Sequence, residues 1–383
     1  MTESDGRLAG PSVDHGAARA GAILTIDLDA IVANWRFLNA KVAPASRCAA
    51  VVKADAYGLG AARVTPALYD AGCRRFVVAT LDEALVLRPL LPEAEIFVLS
   101  GPFSGCEEEF PAAGVTPVLN STEQIARWRA AANRLGRPLP SVLHVDTGMS
   151  RLGLCADEAR LLAGDAETLA AIRPILLISH LACADEPAHP LNRKQLEAFR
   201  SARALFPGLP GSLAASSGIF LGSDWQADWC RPGAALYGVQ PTATGDNPMR
   251  PVVRLDARII QVRDVDAGES VGYGATHLAR TPGRLAVVAA GYADGLFRTL
   301  GNRGCGYLGE HRVPLVGRVS MDLVIFDVTG LPNELATPGA TISLIGLHNS
   351  VDDLGRAAGT IGYEILTSLG RRYHRHYLNG SPR

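Results

Sequence analysis

Read along the chain, short apolar runs alternate with stretches whose apolar positions recur at helical spacing. The runs lie at 23–26, 48–52, 76–79, 96–99, 117–119, 142–145, 175–178 and 211–215. Each is short and bounded by polar, Gly or Pro positions, the pattern of a buried parallel strand. Between them, 29–42, 81–91, 122–135 and 192–205 carry the 3.6-residue period of helices. Asp29 and Ser121 stand where N-caps are wanted. Eight such alternations predict an α/β fold, a (β/α)8 TIM-like barrel over 22–250. An open doubly wound sheet is the alternative.

The pattern changes after a turn-rich stretch, Gly238-Val-Gln-Pro-Thr-Ala-Thr-Gly-Asp-Asn-Pro. Runs at 252–265, 285–290, 313–319, 323–328 and 341–345 follow without long helices between them. They predict a mostly-β C-terminal domain over 251–383. Helical spacing returns over 351–377, at Leu354, Ala358, Ile361, Ile365, Leu366 and Leu369. Residues 1–21 are polar and rich in Gly and Ala. They read as a flexible tail rather than a secretion signal.

Length and charge narrow the function. At about 150 residues per domain, 383 residues make two or three domains. With 37 basic and 38 acidic residues the net charge is −1, which gives no pull toward nucleic acid or a membrane surface. No apolar run reaches the roughly 18 residues of a spanning helix. Seven cysteines, an odd number without a C-x-x-C, argue against a disulfide framework or a zinc site and for the cytoplasm.

Several candidate chemical groups stand at strand ends, where a barrel carries its active site. Lys53 closes a run and precedes Ala-Asp-Ala-Tyr57-Gly-Leu-Gly. Desolvation there would make it a nucleophile toward an aldehyde, although a strand-end lysine can also simply reach water. Asp146, Thr147 and Arg151 follow another run, and His180 a third. Ser216-Ser217-Gly218 and Arg231-Pro-Gly233-Ala234 offer small residues whose amides can approach a phosphate, or an ordinary tight loop. In the second domain, Gly-flanked Tyr273 and Tyr292 and the segment from Arg318 to Asp322 stand apart. A tyrosine serves as acid or base only if its pKa, normally near 10, is lowered. A lysine for an imine, a phosphate cradle and several arginines together form the inventory for pyridoxal 5′-phosphate.

The segments VVKADAYGLG, VDTGMSRLG, SHLACAD, RPGAALYG, VGYGATH, GYADG, VGRVSMD and GTIGYE occur in this order. In that combination the chain resembles the alanine racemases from about Leu24 to Tyr377. The resemblance implies an isomerase that uses pyridoxal 5′-phosphate to interconvert L- and D-alanine with two bases. D-Alanine would feed peptidoglycan precursors, or the reverse reaction would feed catabolism. It implies that Lys53 joins the cofactor and is one base, and that Tyr273 of a second copy is the other, in a head-to-tail homodimer. Met321 would likewise complete the neighbour's site. Arg231 is then the partner of the pyridine nitrogen, and His180 links Arg231 to Tyr273. Arg151 lies near the cofactor's phenolic oxygen and the substrate carboxylate. Tyr57, Ser217, Tyr363 and the backbone of Gly233 and Ala234 hold the phosphate. Met321 and Asp322 meet the substrate, and Tyr292, Arg298 and Arg318 line the entrance.

Four positions depart from the family pattern. His144 stands where many members carry a carbamylated lysine that orients the arginine here numbered 151. Another anion, or protein groups alone, would then do that work. Ser216 replaces an asparagine, Ser320 a cysteine and Gly362 an asparagine. The alternatives to alanine racemisation are a racemase of another small amino acid such as serine, a decarboxylase of related architecture, and a non-catalytic PLP-binding protein. An arginine at the ring nitrogen argues against the decarboxylase, and the second domain against the last.

Overall fold

Seven strands lie in one parallel sheet, in chain order. They are Ala50–Val51, Arg75–Val78, Glu95–Val98, Thr116–Leu119, Ser141–His144, Pro174–Ile178 and Gly211–Ser212. An eighth, Trp229–Cys230, closes the ring. It pairs in parallel with Arg47–Cys48, and Arg231 forms a parallel bridge with Ala215 on the other side. The amides of Ala49 and Val51 bond the carbonyls of Cys230 and Pro232, both at 2.9 Å. Ala49, Val51, Val77, Phe97, Val118, Val142, Leu176 and Ile178 pack together as a buried apolar cluster. Dispersion and the hydrophobic effect therefore hold a filled barrel, not a pore. The computed structural model describes residues 15–379.

Helices follow the strands where their caps predict. Ser121 accepts from the Gln124 amide and starts Thr122–Arg134. The helix Leu28–Val42 is capped by Asp27, whose Oδ1 accepts from the Ala30 amide at 3.0 Å. Asp29, expected as the cap, lies inside the first turn, where its charge still favours the helix N-terminus.

Two compact units emerge, residues 27–252 and the unit of residues up to 26 with 253–377. The run 23–26, expected as a barrel strand, belongs to the second. It forms part of Ala22–Asp27, antiparallel to Val253–Val265 with Leu24 opposite Leu255. Its burial alternates along the strand, as in a sheet with one packed face, whereas Arg75–Val78 and Glu95–Val98 end in continuously buried runs.

The sheet of this second unit runs His311–Pro314, Cys305–Leu308, Thr341–Ile345, Val253–Val265, Ala22–Asp27, His374–Leu378. The 13-residue strand Val253–Val265 is irregular between Ile259 and Gln261, and beyond that point it pairs with Gly283–Val288. The helical spacing at 351–377 resolves into Val351–Ala358 and Gly362–Ser368, and the chain then turns into the strand His374–Leu378. Gly359, with φ of +77°, ends the first helix. Of the expected tail, residues 1–14 lie outside the described residues. His15–Arg19 forms a helical turn, and the Ala17 carbonyl accepts from Arg258 Nη2 at 2.9 Å. Among the described residues no helix is long and apolar enough to cross a membrane.

Candidate active site

Lys53 stands just past the strand Ala50–Val51, and the backbone after it is unusual. Ala54, Asp55, Ala56 and Tyr57 all adopt left-handed helical angles, with φ between 53° and 55°. For L-residues this costs about 1–2 kcal/mol each, so neighbouring groups must hold it. Glu83 Oε1 accepts from the Ala54 amide at 2.7 Å, and Asp55 Oδ1 accepts from the Ala61 amide at 2.7 Å. Glu83 is the third residue of a helix capped by Thr80, and its other oxygen accepts from the Ala79 amide at 2.7 Å. The T-x-x-E spacing is legible in sequence as a capping box; its reach to the lysine turn is not. Burial, and then the positive charge of Arg151, lower the Lys53 pKa against a smaller opposing effect of Glu83.

Arg231 follows the closing strand and is buried. Nη1 donates to the Ser212 carbonyl at 2.8 Å and to the Ser212 hydroxyl, and Nη2 to the Ser179 carbonyl at 2.5 Å. These partners are neutral oxygens, so its charge is oriented but not cancelled. Burial lowers its pKa to about 10, which leaves it a cation at neutral pH.

His144 ends the strand Ser141–His144 and is buried. Its Nδ1 lies 2.7 Å from Asn120 Oδ1. Burial first, then Arg231 and Arg151, push its pKa down to about 4. His180 follows Pro174–Ile178 and is pushed to about 3 by burial, Arg231, Arg151 and Lys53 in that order. Both imidazoles are therefore neutral at physiological pH. Gln195, fully buried, donates to the His180 carbonyl at 2.9 Å and accepts from the Ala182 amide at 2.9 Å. Asp146 is a carboxylate, but its oxygens accept the amides of Gly148, Met149 and Ser150. Burial works against its charge, and those amides outweigh it and hold the pKa below the usual range.

The loops of small residues meet beside these cations. Ser216 Oγ accepts from the amides of Gly233 and Ala235, at 3.0 and 3.2 Å. The Gly233 amide, expected to face an anion, is thus directed to Ser216 here. What Gly233 supplies is space: a Cβ there would stand 2.3 Å from the Tyr57 hydroxyl oxygen. Tyr57 stacks at 4.8 Å on the buried Tyr237, which donates to the Val51 carbonyl at 3.0 Å. Ser217 opens the short 3-10 helix Ser217–Leu221, and Ala234 opens Ala234–Tyr237.

The first unit therefore gathers Lys53, Tyr57, Arg151, His180, Ser217, Arg231, Gly233 and Ala234 at the C-terminal ends of its strands. Sequence reasoning missed Glu83, Gln195, Ser179 and Ser212, which brace these segments, and Asn120, which holds His144. The donor set suits an anionic group with an aldehyde: a lysine of lowered pKa, two arginines, neutral histidines and a cradle that a side chain would fill.

In the second unit, Tyr273 starts the turn Tyr273–Ala275 and is 71% exposed. Arg318 lies against Gly274, where a Cβ would stand 2.8 Å from its Nη1. Tyr292 lies in Tyr292–Asp294, Arg298 in Arg298–Leu300 and Tyr363 in Gly362–Ser368. Met321 and Asp322 are on an exposed loop. Arg372, which no motif marked, bonds Asp322 and the buried Asp294.

The family model for the alanine racemase N-terminal domain matches residues 26–241, and that for the C-terminal domain matches residues 252–377. The chain belongs to the alanine racemase family. It is 55% identical over 360 residues to an alanine racemase of Rhodospirillum rubrum, covering 94% of this chain and 96% of the relative. It is 51% identical over 368 residues to a catabolic alanine racemase of Agrobacterium fabrum, covering 96% and 95%. The fold matches the alanine racemase of Bartonella henselae, solved with covalently bound pyridoxal phosphate. There the TM-score is 0.90 and the identity 44%, over 94% of this chain and all of that one. The biosynthetic alanine racemase of Pseudomonas aeruginosa gives a TM-score of 0.87 at 39% identity, with coverage of 94% and 100%. Full-length agreement with the family bears out the barrel-plus-β fold class.

Proposed function

We propose that this protein is a PLP-dependent alanine racemase that moves the α-proton of alanine between two bases. The observation that carries the reading is the lysine of lowered pKa near Arg151, with Arg231, buried among neutral oxygens, acting with both on His180, in a chain of this family. Pyridoxal 5′-phosphate, when bound, supplies the electron sink that stabilises negative charge at the substrate α-carbon.

Lys53 would hold the cofactor, and its free Nζ would take or return the α-proton on one face. A lowered pKa favours the free amine that this needs. Tyr273 serves the opposite face from a second copy, in a head-to-tail homodimer. The exposure of Tyr273 (71%) and Met321 (54%) supports a surface completed by another chain. Arg231 would face the pyridine nitrogen of the bound cofactor and, being unable to give up a proton, would leave it unprotonated, which would limit side reactions that need a stronger sink. His180, neutral, links Arg231 to Tyr273. Arg151 serves the phenolic oxygen and the substrate carboxylate, and His144 with Asn120 takes the place of a carbamate beside it.

Tyr57, Ser217, Tyr363 and the Ala234 amide would hold the phosphate, with Gly233 giving the Tyr57 hydroxyl room. Met321 receives the substrate carboxylate through its amide, with Asp322 beside it. Tyr292, Arg298 and Arg318 narrow the entrance. D-Alanine for peptidoglycan precursors, or alanine catabolism, is the outlet, in the cytoplasm, where free thiols persist.

Borohydride reduction of the holoenzyme followed by peptide mapping tests the assignment of the lysine. The cofactor is expected on the peptide that contains Lys53. A label elsewhere, or none on a protein that absorbs as a PLP protein, contradicts it.

A further inference from the structure

Arg372 joins two carboxylates from different loops. Its Nε and Nη2 donate to Oδ1 and Oδ2 of Asp294 at 2.6 and 2.7 Å, and Nη1 donates to Asp322 Oδ1 at 2.7 Å. The two-pronged bond to Asp294 uses the planar fork that only arginine has. Asp294 is 5% exposed, so its charge needs this partner. Asp322 is exposed, and an ion pair there adds little to stability. The arm to Asp322 is therefore explained by position better than by folding energy.

What it positions is set by the backbone around it. The Tyr292 amide bonds the Ser320 carbonyl at 2.9 Å, the Ala293 amide the Met321 carbonyl at 3.0 Å, and the Gly370 amide the Asp294 carbonyl at 2.9 Å. A Cβ on Gly291 would stand 2.2 Å from the Met321 oxygen, and one on Gly370 3.0 Å from the Asp294 Cα. Asp294 Oδ2 also accepts from the Gly291 amide at 2.9 Å. Three segments thus meet backbone to backbone, and Arg372 is the side chain that crosses their junction.

We propose that Arg372 is a positioning residue for the reaction: by bridging Asp294 and Asp322 it fixes the 320–322 segment that presents the Met321 amide to the carboxylate of a small amino acid. The proposal rests on Met321 receiving that carboxylate, as proposed above. Nε, Nη1 and Nη2 of Arg372 are all engaged by the two carboxylates, so its part is indirect. Loss of the bridge loosens the carboxylate end of the pocket and leaves the proton-transfer groups in place.

The test compares Arg372→Met, Arg372→Lys and Asp322→Asn in the holoenzyme. Arg372→Met is expected to raise KM for alanine about tenfold and to change kcat by less than about threefold. The inhibition constant of propanoate, which keeps the carboxylate and lacks the amine, rises in parallel. Arg372→Lys keeps the charge without the fork and falls between. Asp322→Asn, at an exposed position, raises KM less and covers the case in which Arg372→Met does not fold. Amide hydrogen exchange over 291–294 and 320–322 quickens in the Arg372 variants whatever their activity.

An unchanged KM and propanoate constant in cofactor-loaded protein overturns the proposal. So does an equal fall of kcat with loss of cofactor, which marks a scaffold role. A wild-type enzyme that leaves alanine untouched defeats the racemase reading instead. Propanoate binding and amide exchange then decide the bridge on their own: weaker binding with faster exchange upholds it, and any other result overturns it.

Discussion

The imidazole of His144 and the amide of Asn120 fix each other, with Nδ1 2.7 Å from Oδ1. The Asn120 amide nitrogen donates to the Leu99 and Val118 carbonyls at 3.0 and 3.1 Å, so its oxygen faces the ring. Nδ1 must then carry the proton, and Nε2 keeps a lone pair among cations. A neutral histidine of fixed tautomer thus stands where the family resemblance leads one to expect a charged carbamate.

This gives stability a pH dependence of definite sign. The His144 pKa is about 4 in the folded chain, against about 6.5 when unfolded. Between those values only the unfolded chain takes up the proton. Stability is therefore undiminished above about pH 6.5 and falls as the pH drops toward about 4, by up to about 1.4 kcal/mol per pH unit. His180 adds the same sign down to about 3. Urea midpoints measured at about pH 7.5, 6 and 5 are expected to fall in that order. His144→Gln, which cannot titrate, should show a shallower decline. An equal decline in the variant contradicts the assignment.

A second prediction concerns Gly233. With a Cβ 2.3 Å from the Tyr57 oxygen, Gly233→Ala must displace Tyr57 or the loop. Cofactor affinity, read by absorbance titration, is expected to fall at least about tenfold with the fold retained. Tyr57→Phe added to it removes the nearest atom and should restore part of the folded stability. Unaltered affinity in Gly233→Ala would show that this cradle does not hold the phosphate.

The barrel was legible because its strands end in buried apolar runs, and Lys53 and His180 stood out because each follows such a run, whereas Arg231 stood out through the small residues of Arg231-Pro-Gly233-Ala234. Trp229–Cys230 was not legible, since two residues followed by an arginine carry no periodicity. The run at 23–26 misled for the opposite reason: Ala-Ile-Leu-Thr-Ile-Asp is apolar enough for a barrel strand, and only Thr25 hints at a sheet with one packed face. The strand His374–Leu378 is equally silent, being polar at an edge. Asn120, Glu83 and Gln195 are single polar residues whose partners lie up to 48 positions away, and no local pattern marks them. The left-handed turn at 54–57 has no glycine to announce it.

Mixing two inactive variants tests the proposed sharing of sites. In a head-to-tail dimer of Lys53→Ala with Tyr273→Phe, one site has lost both bases and the other keeps both. Unfolding and refolding the two together should restore about a quarter of wild-type activity, from half the dimers with one good site each. If each chain used its own Tyr273, no mixed dimer would regain activity.

The central claim is that this protein takes the α-proton from either enantiomer of alanine. Cofactor-loaded enzyme and L-alanine are placed in deuterated water, and the α-proton is followed by NMR while chiral chromatography follows the enantiomers. The signal should disappear as D-alanine accumulates to an equal amount, and D-alanine as starting material should reach the same mixture. An α-proton that persists in protein carrying its full complement of PLP would contradict the account.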